Sequence, residues 1–249
     1  MTPSASWPRQ LWVVRHGESA GNVARDLAEA NALERIDLAS RDVDIPLSDL
    51  GVSQSAALGA WTASLPAEER PTVVWSSPYV RAQQTAHIAM EHAGLELPAV
   101  LDERLREREF GLLDGLTRRG ITALYPEEAQ RRSRLGKFYH RPPGGESWSD
   151  VLLRLRGALD DIRRECPDER VLIVAHQVVV LLVRCVVERL TEAEILAIDA
   201  AGDVANCSVT SYRRGPDGLL VLQQYNEVTA LVEQDEPVTS EPDVPAAPR

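Results

Sequence analysis

Cysteine is scarce in this chain and poorly spaced for pairing: Cys166, Cys185 and Cys207 are the only three among 249 residues. An odd number at wide, irregular intervals shows neither a disulfide framework nor a zinc-ligand pair, so reduced thiols in a cytoplasmic protein are expected. Positive charge is also short. Lys and Arg number 27 against 38 Asp and Glu, a formal net charge of −11, which argues against non-specific binding to nucleic acid or to an anionic membrane. Residues 1–10 hold no basic segment followed by a long apolar stretch, so no secretory leader is expected. The most apolar stretch, 171–187, is broken by His176, Gln177 and Arg184. It is too short and too polar to span a bilayer and reads as a buried strand followed by a helix. No internal repeat and no convincing cluster of metal ligands is visible.

What is present is ample apolar material: 44% of the residues are hydrophobic, enough for the core of one α/β domain. Strand-like and helical stretches alternate, which predicts a three-layer α/β/α fold around a mostly parallel sheet. Residues 11–14 predict a first buried strand, followed by a helical stretch over about 19–33. Leu47 to Gly51 reads as a turn into a helix carrying Ala56, Ala57, Leu58, Ala60 and Trp61, and 72–75 as the next strand. Ser77-Pro78 reads as a helix start, with Ser as N-cap and Pro at the first helical position. Ser147 to Asp150 resembles a capping box ahead of an apolar helical face of Val151, Leu155, Ala158, Leu159 and Ile162. Residues 171–175 form the clearest buried strand, and 204–212 and 219–225 finish the sheet.

The pattern loosens between Gly111 and Gly145, so a cap insertion of about 112–145 is expected within a single domain of 1–232. Residues 233–249 carry five acidic side chains, one basic one and repeated Pro, and read as a disordered tail.

Three observations converge. Arg15-His16 follows a strand, Arg81 opens a helix after a strand, and His176 ends a strand. In an open parallel sheet the carboxyl ends of the strands face one ligand crevice. Helix N-termini there favour anions, and Arg grips two phosphate oxygens where Lys is a point charge. Such a set forms a pocket for a small dianion.

The arrangement is more specific as a whole. Arg15-His16-Gly17-Glu18-Ser19 with Asn22, and Ser77-Pro78 with Arg81-Ala82 and Gln84-Thr85-Ala86, resemble the first two signatures of the histidine phosphatase superfamily. That group includes the cofactor-dependent phosphoglycerate mutases. Leu105-Arg106-Glu107, Phe110-Gly111 and Gly115 resemble its acidic loop, and Pro143 to Ser147 and Val174-Ala175-His176 its later signatures. The likeness runs in the family's order from about residue 11 to at least 212.

The resemblance implies a phosphoglycerate mutase-like fold and a phosphatase that needs no metal and no cofactor. His16 is the implied nucleophile, with Arg15, Arg81 and His176 as the clamp on the phosphoryl group and Glu107 as general acid, then base. Glu109 is the rival for that last role. A protonated Glu107 beside a neutral His16 implies a bell-shaped pH dependence. Asn22, Ser19 and Gln177 would bind the substrate, a small phosphorylated metabolite. Arg118, Arg119, Arg134, Lys137 or Arg141 of the basic stretch 118–141 would reach a second anionic group, and His140 could also touch it. His87 and His92, five apart, lack the spacing of a helical metal pair. The resemblance also admits a homodimer.

Some positions depart from the mutase pattern. Ala20 and Gly21 stand where mutases carry a large aromatic, the connection between Arg25 and Pro46 is long and charged, and Gln177 replaces the usual Gly. His-Gln at that point is similar to the bisphosphatase half of the bifunctional fructose-2,6-bisphosphate enzymes, a local likeness that names no substrate. These features favour a phosphatase over a phosphoglycerate mutase, and the presence of His16, Arg81 and His176 places a third alternative, a non-catalytic phospho-ligand binding protein, last.

Overall fold

The computed structural model describes residues 6–241. Its elements run β1 (Gln10–Arg15), α1 (Ala20–Ala30), α2 (Asp49–Ser64), β2 (Val73–Ser76), α3 (Val80–His92) and β3 (Ala99–Leu101). They continue as α4 (Arg118–Leu124), α5 (Pro126–Tyr139), α6 (Trp148–Glu165), β4 (Arg170–Ala175), α7 (Gln177–Val187), α8 (Glu192–Ala201), β5 (Val209–Arg214), β6 (Leu220–Glu227) and α9 (Thr229–Val232). The strands form one sheet in the order β3-β2-β4-β1-β5-β6. The first four are parallel, and β5 and β6 add an antiparallel edge.

The two central strands explain why the sheet forms where it does. Both β1 and β4 are buried along nearly their whole length, as expected of parallel strands covered on both faces. Alternate residues face opposite layers. Leu11, Val13, Val171 and Ile173 pack with Leu155, Leu159 and Ile162 of α6 and with α7. Trp12, Val14, Leu172 and Val174 pack with Leu58 of α2 and with Ala82, Ala86 and Ala89 of α3. The fold is thus three layers. Helix α6 starts in a capping box, with the Ser147 hydroxyl accepting from the Asp150 N–H and the Asp150 carboxylate accepting from the Ser147 N–H.

Register then positions the chemistry. Arg15 pairs with Ala175 and Ser76 with Val174, so the residues that follow these strands, His16, Ser77 and His176, leave the sheet at one level. Above this edge lie the segment 31–47 and the region from Gly111 through α4 and α5, which is helical where the sequence suggested only a loosened pattern.

Three differences from the sequence reading have physical causes. Ser77-Pro78 does not begin the helix: α3 starts at Val80, because the Ser77 hydroxyl accepts from the Tyr79 N–H and meets His176 instead of capping a turn. Strand β3 and helix α8 were not anticipated; β3 has only three residues, two of them exposed, and carries little periodic signal. The expectation of a disordered tail does not hold for 233–241. There Asn206 N–H donates to the Thr239 carbonyl at 2.8 Å, the Gln54 amide donates to Pro237 O at 2.9 Å, and Glu241 is 2% exposed. Acidic, Pro-rich composition gives no hint of polar partners supplied from distant parts of the chain. Residues 242–249 lie outside the described residues.

Candidate active site

His16 sits on the turn between β1 and α1, 3% exposed. Its Nδ1 lies 2.7 Å from the Gly17 carbonyl, which can only accept, so Nδ1 carries the proton and Nε2 keeps its lone pair. Arg81 Nε donates to that Nε2 at 3.2 Å. Burial, then the charges of Arg81 and Arg15, hold the ring well below the ordinary histidine range, so it stays neutral. The turn is pinned from several sides: Gly17 N–H donates to Thr85 Oγ1, Glu18 N–H to Gln54 Oε1, and Asn206 Nδ2 to the His16 carbonyl. Gly17 is needed for close approach, since a Cβ there would lie 2.6 Å from the Gly51 carbonyl oxygen at the start of α2.

Around His16 the two clamp arginines are each 5% exposed or less. Arg15 Nη1 donates to Gln177 Oε1 at 2.9 Å and to Val204 O at 2.5 Å, and Nη2 meets Glu241 Oε2 at 2.7 Å. Arg81 Nη1 and Nη2 reach Asp42, at 3.0 Å from Oδ1 and 3.2 Å from Oδ2. His176, fully buried, has Nε2 2.8 Å from Ser77 Oγ and Nδ1 3.8 Å from Glu107 Oε2. Burial and then Arg81 and His16 hold its ring well below the ordinary range. The two histidine rings meet edge to face with centroids 5.1 Å apart.

Two buried nitrogens here, Arg15 Nε and His176 Nδ1, have no hydrogen-bond partner among the described residues. Buried polar groups are normally paired, so these two nitrogens are donors or acceptors that a ligand at this place could satisfy.

A cavity of about 200 Å³ opens beside His16. Its floor is Arg15, His16, Arg81, Asn22, Glu107 and Gln177, and Ile36, Leu38, Ile45, Phe110, Leu113 and Leu116 of the overlying segments form its walls. Ser19 and Asn22 also line it, but as a capping box for α1: Ser19 N–H and Oγ–H both donate to Asn22 Oδ1. This box uses the Asn22 side-chain oxygen and backbone N–H, not its amide nitrogen. Gln177 serves Arg15 through its oxygen and reaches Asp203 Oδ1 through its nitrogen at 3.3 Å.

The structure brings Glu107, not Glu109, to the cavity lining. The loop carrying Glu107 is held by Glu146, which accepts from Arg106, Arg154 and the Glu109 N–H, while Arg154 also donates to the Glu107 carbonyl. None of Arg118, Arg119, Arg134, Lys137 and Arg141 is among the residues that line the cavity. Arg118 and Arg119 lie on α4, away from the lining, and the Arg118 N–H is directed to Glu29 Oε1. Lys137 pairs with Asp199, Arg141 with Asp150, and buried His140 with Glu128 Oε2. Residues not anticipated are Arg25, Asp42, Asp114 and Glu241, all lining the cavity. Arg25 lies one turn beyond Asn22 on α1 and was legible in principle; the others depend on long-range folding. Among the described residues no group of His, Cys, Asp or Glu could hold a metal ion, and no helix is long and apolar enough to cross a membrane.

The geometry sets a neutral, buried histidine between two buried arginines and a second histidine, at the rim of one cavity. Residues 11–227 match the model of the histidine phosphatase superfamily (branch 1), and the chain belongs to that family. It is 33% identical over 180 residues to the 6-phosphofructo-2-kinase/fructose-2,6-bisphosphatase of Caenorhabditis elegans, spanning 72% of this chain but only 33% of that protein. It is 34% identical over 169 residues to the probable phosphoglycerate mutase GpmB of Yersinia pestis, spanning 67% of this chain and 69% of that protein. Among solved structures, a mycobacterial glucosyl-3-phosphoglycerate phosphatase matches with a TM-score of 0.69 at 27% identity, covering 88% of this chain and 99% of the other.

Proposed function

We propose that the chain is a phosphomonoesterase that hydrolyses a small phosphorylated metabolite through a phosphohistidine on His16. The observation that carries this reading is the unprotonated Nε2 of a neutral, pinned histidine, which accepts from Arg81 Nε and is ringed by Arg15, Arg81 and His176, with two buried nitrogens that have no hydrogen-bond partner among the described residues. In the first step Nε2 attacks phosphorus in line, a P–N bond forms and the ester P–O bond breaks, and Glu107 gives its proton to the leaving alcohol. In the second, Glu107 takes a proton from water, the hydroxide attacks phosphorus, and phosphate leaves His16 neutral again. The arginines meet the charge on the transferring group, the main task in phosphoryl transfer. An acid-base group of this kind contributes roughly a hundred- to ten-thousand-fold in rate.

A small metabolite is supported by the cavity of about 200 Å³ and by the names of the relatives, fructose-2,6-bisphosphatase and glucosyl-3-phosphoglycerate phosphatase among them. The proposal includes a cytoplasmic setting, supported by three buried cysteines, none of them paired. A mutase is the second reading, favoured by the Yersinia relative. The test is phosphate release from an aryl phosphate in EDTA, comparing the wild type with His16→Ala. Release that the variant loses supports the phosphatase. Primer-dependent interconversion of phosphoglycerates with little free phosphate would replace it with the mutase.

A further inference from the structure

Ser77 follows β2 and is fully buried. Register places it beside the end of β4, where its N–H donates to the Val174 carbonyl at 3.0 Å. Its hydroxyl oxygen accepts from the Tyr79 N–H at 3.2 Å and lies 2.8 Å from His176 Nε2. No catalytic step described above uses this hydroxyl.

A hydroxyl has one proton to give and two lone pairs. If His176 carried its proton on Nε2, that proton would go to Ser77, and the serine proton would have no acceptor among the described residues. The ring would then turn the lone pair of Nδ1, buried and without a hydrogen-bond partner among the described residues, toward an incoming phosphoryl oxygen. That places acceptor against acceptor in a buried site, the arrangement that burial penalises most. With the proton on Nδ1 every group is matched: Tyr79 donates to Ser77, Ser77 donates to Nε2, and Nδ1–H faces the reaction. The rings of His16 and Tyr79, each edge to face with His176 at 5.1 Å, hold the imidazole in that orientation.

We propose that Ser77 is a positioning residue that fixes His176 as the Nδ1–H tautomer, making it a hydrogen-bond donor to the transferring phosphoryl group. What the donor addresses rests on the phosphatase reading; the tautomer itself does not. The same hydroxyl explains why Ser77-Pro78 fails to cap α3, since its oxygen is committed to the Tyr79 N–H and its proton to the histidine.

The test is long-range ¹H–¹⁵N spectroscopy of the imidazole rings in labelled, ligand-free protein at neutral pH, with His176→Gln identifying the signal among five histidines. The expected wild-type pattern is a protonated Nδ1 and an unprotonated Nε2 at His176. Ser77→Ala should lose that pattern and lower kcat on an aryl phosphate by about a hundredfold, the effect of removing one donor to a developing oxyanion. KM should change by less than about threefold, the signature of an interaction made in the transition state. Ser77→Thr, which keeps the hydroxyl, should restore the tautomer. A proton on Nε2 in the wild type overturns the proposal, and so does Ser77→Ala with both tautomer and kcat retained. Should Ser77→Ala fail to fold, the wild-type spectrum decides. An Nδ1–H wild type that releases no phosphate from any ester would instead sink the phosphatase reading and leave the tautomer standing.

Discussion

Glu241 Oε2 lies 2.7 Å from Arg15 Nη2, with both side chains 5% exposed or less. The segment that brings it there is fastened to the turn that carries His16. Thr239 pairs with Asn206 and Gln54, and these two residues also hold His16 O and the Glu18 N–H. Burial pushes both partners toward their neutral forms, Glu241 up and Arg15 down, as expected where desolvation outweighs the pairing. A dianionic phosphoryl group offers Arg15 a stronger partner.

Glu241→Gln should therefore tighten the binding of inorganic phosphate, because one negative charge leaves a weakly solvated site. An effective dielectric near 20 puts the gain at about tenfold or more. Competitive inhibition of aryl phosphate hydrolysis by phosphate measures it. Weaker inhibition in the variant would show instead that Glu241 holds Arg15 in its productive pose.

The acid response follows from the histidines. Burial lowers the pKa of His16, His176 and, in the cap, His140. In the unfolded chain these rings bind protons from about pH 6.5 downward. Below that pH the unfolded state therefore takes up more protons than the native state. Stability present above about 6.5 is lost as the pH falls toward the native values. Thermal midpoints measured between pH 8 and 5 should decline on the acid side, and the acid limb of kcat/KM should lie below 6.5. A midpoint flat through that range would contradict the neutral, buried rings. Asp150, held at about 2 chiefly by Arg141, belongs to a lower window near its own titration.

Arg81 joins His16 to the overlying segment 31–47, with Nε on His16 and its terminal nitrogens on Asp42. A lysine keeps the charge and loses the fork. Arg81→Lys should lower kcat by about a hundredfold or more, read as slower formation of a trapped phosphohistidine. Near-normal turnover would mean that charge alone suffices at this position.

How much of this was legible depends on whether a feature is local. Strands β1 and β4 show as apolar runs, and α6 as an apolar helical face behind a capping box, because each signal lies within a few adjacent residues. His16, Arg15, Arg81 and His176 are legible because the ends of parallel strands share one edge. Asp42 and Glu241 are not, since nothing near them in the chain marks them as partners of Arg81 and Arg15. Arg118 and Arg119 misled for the converse reason: a basic run states composition and not direction, and α4 carries them away from the cavity. Ser77 was read through its helix-starting sequence pattern, which competes with the histidine that the sheet register sets beside it.

The choice between Glu107 and Glu109 gives the sharpest test of the site. Glu107 lines the cavity with Oε2 3.8 Å from His176 Nδ1, while Glu109 is outside the lining and has its N–H on Glu146. An acid matters most when the departing oxygen is basic. Glu107→Gln should thus lower kcat on an alkyl phosphate by roughly a hundred- to ten-thousand-fold, and much less on p-nitrophenyl phosphate, whose leaving group needs no proton. Glu109→Gln should change either rate by less than about threefold, the scale of a substitution whose side chain lies outside the cavity lining. A leaving-group-dependent loss in Glu109→Gln with none in Glu107→Gln would move the proton two residues along the loop. Equal losses on both esters in Glu107→Gln would assign that carboxylate to holding His176 instead of to proton transfer.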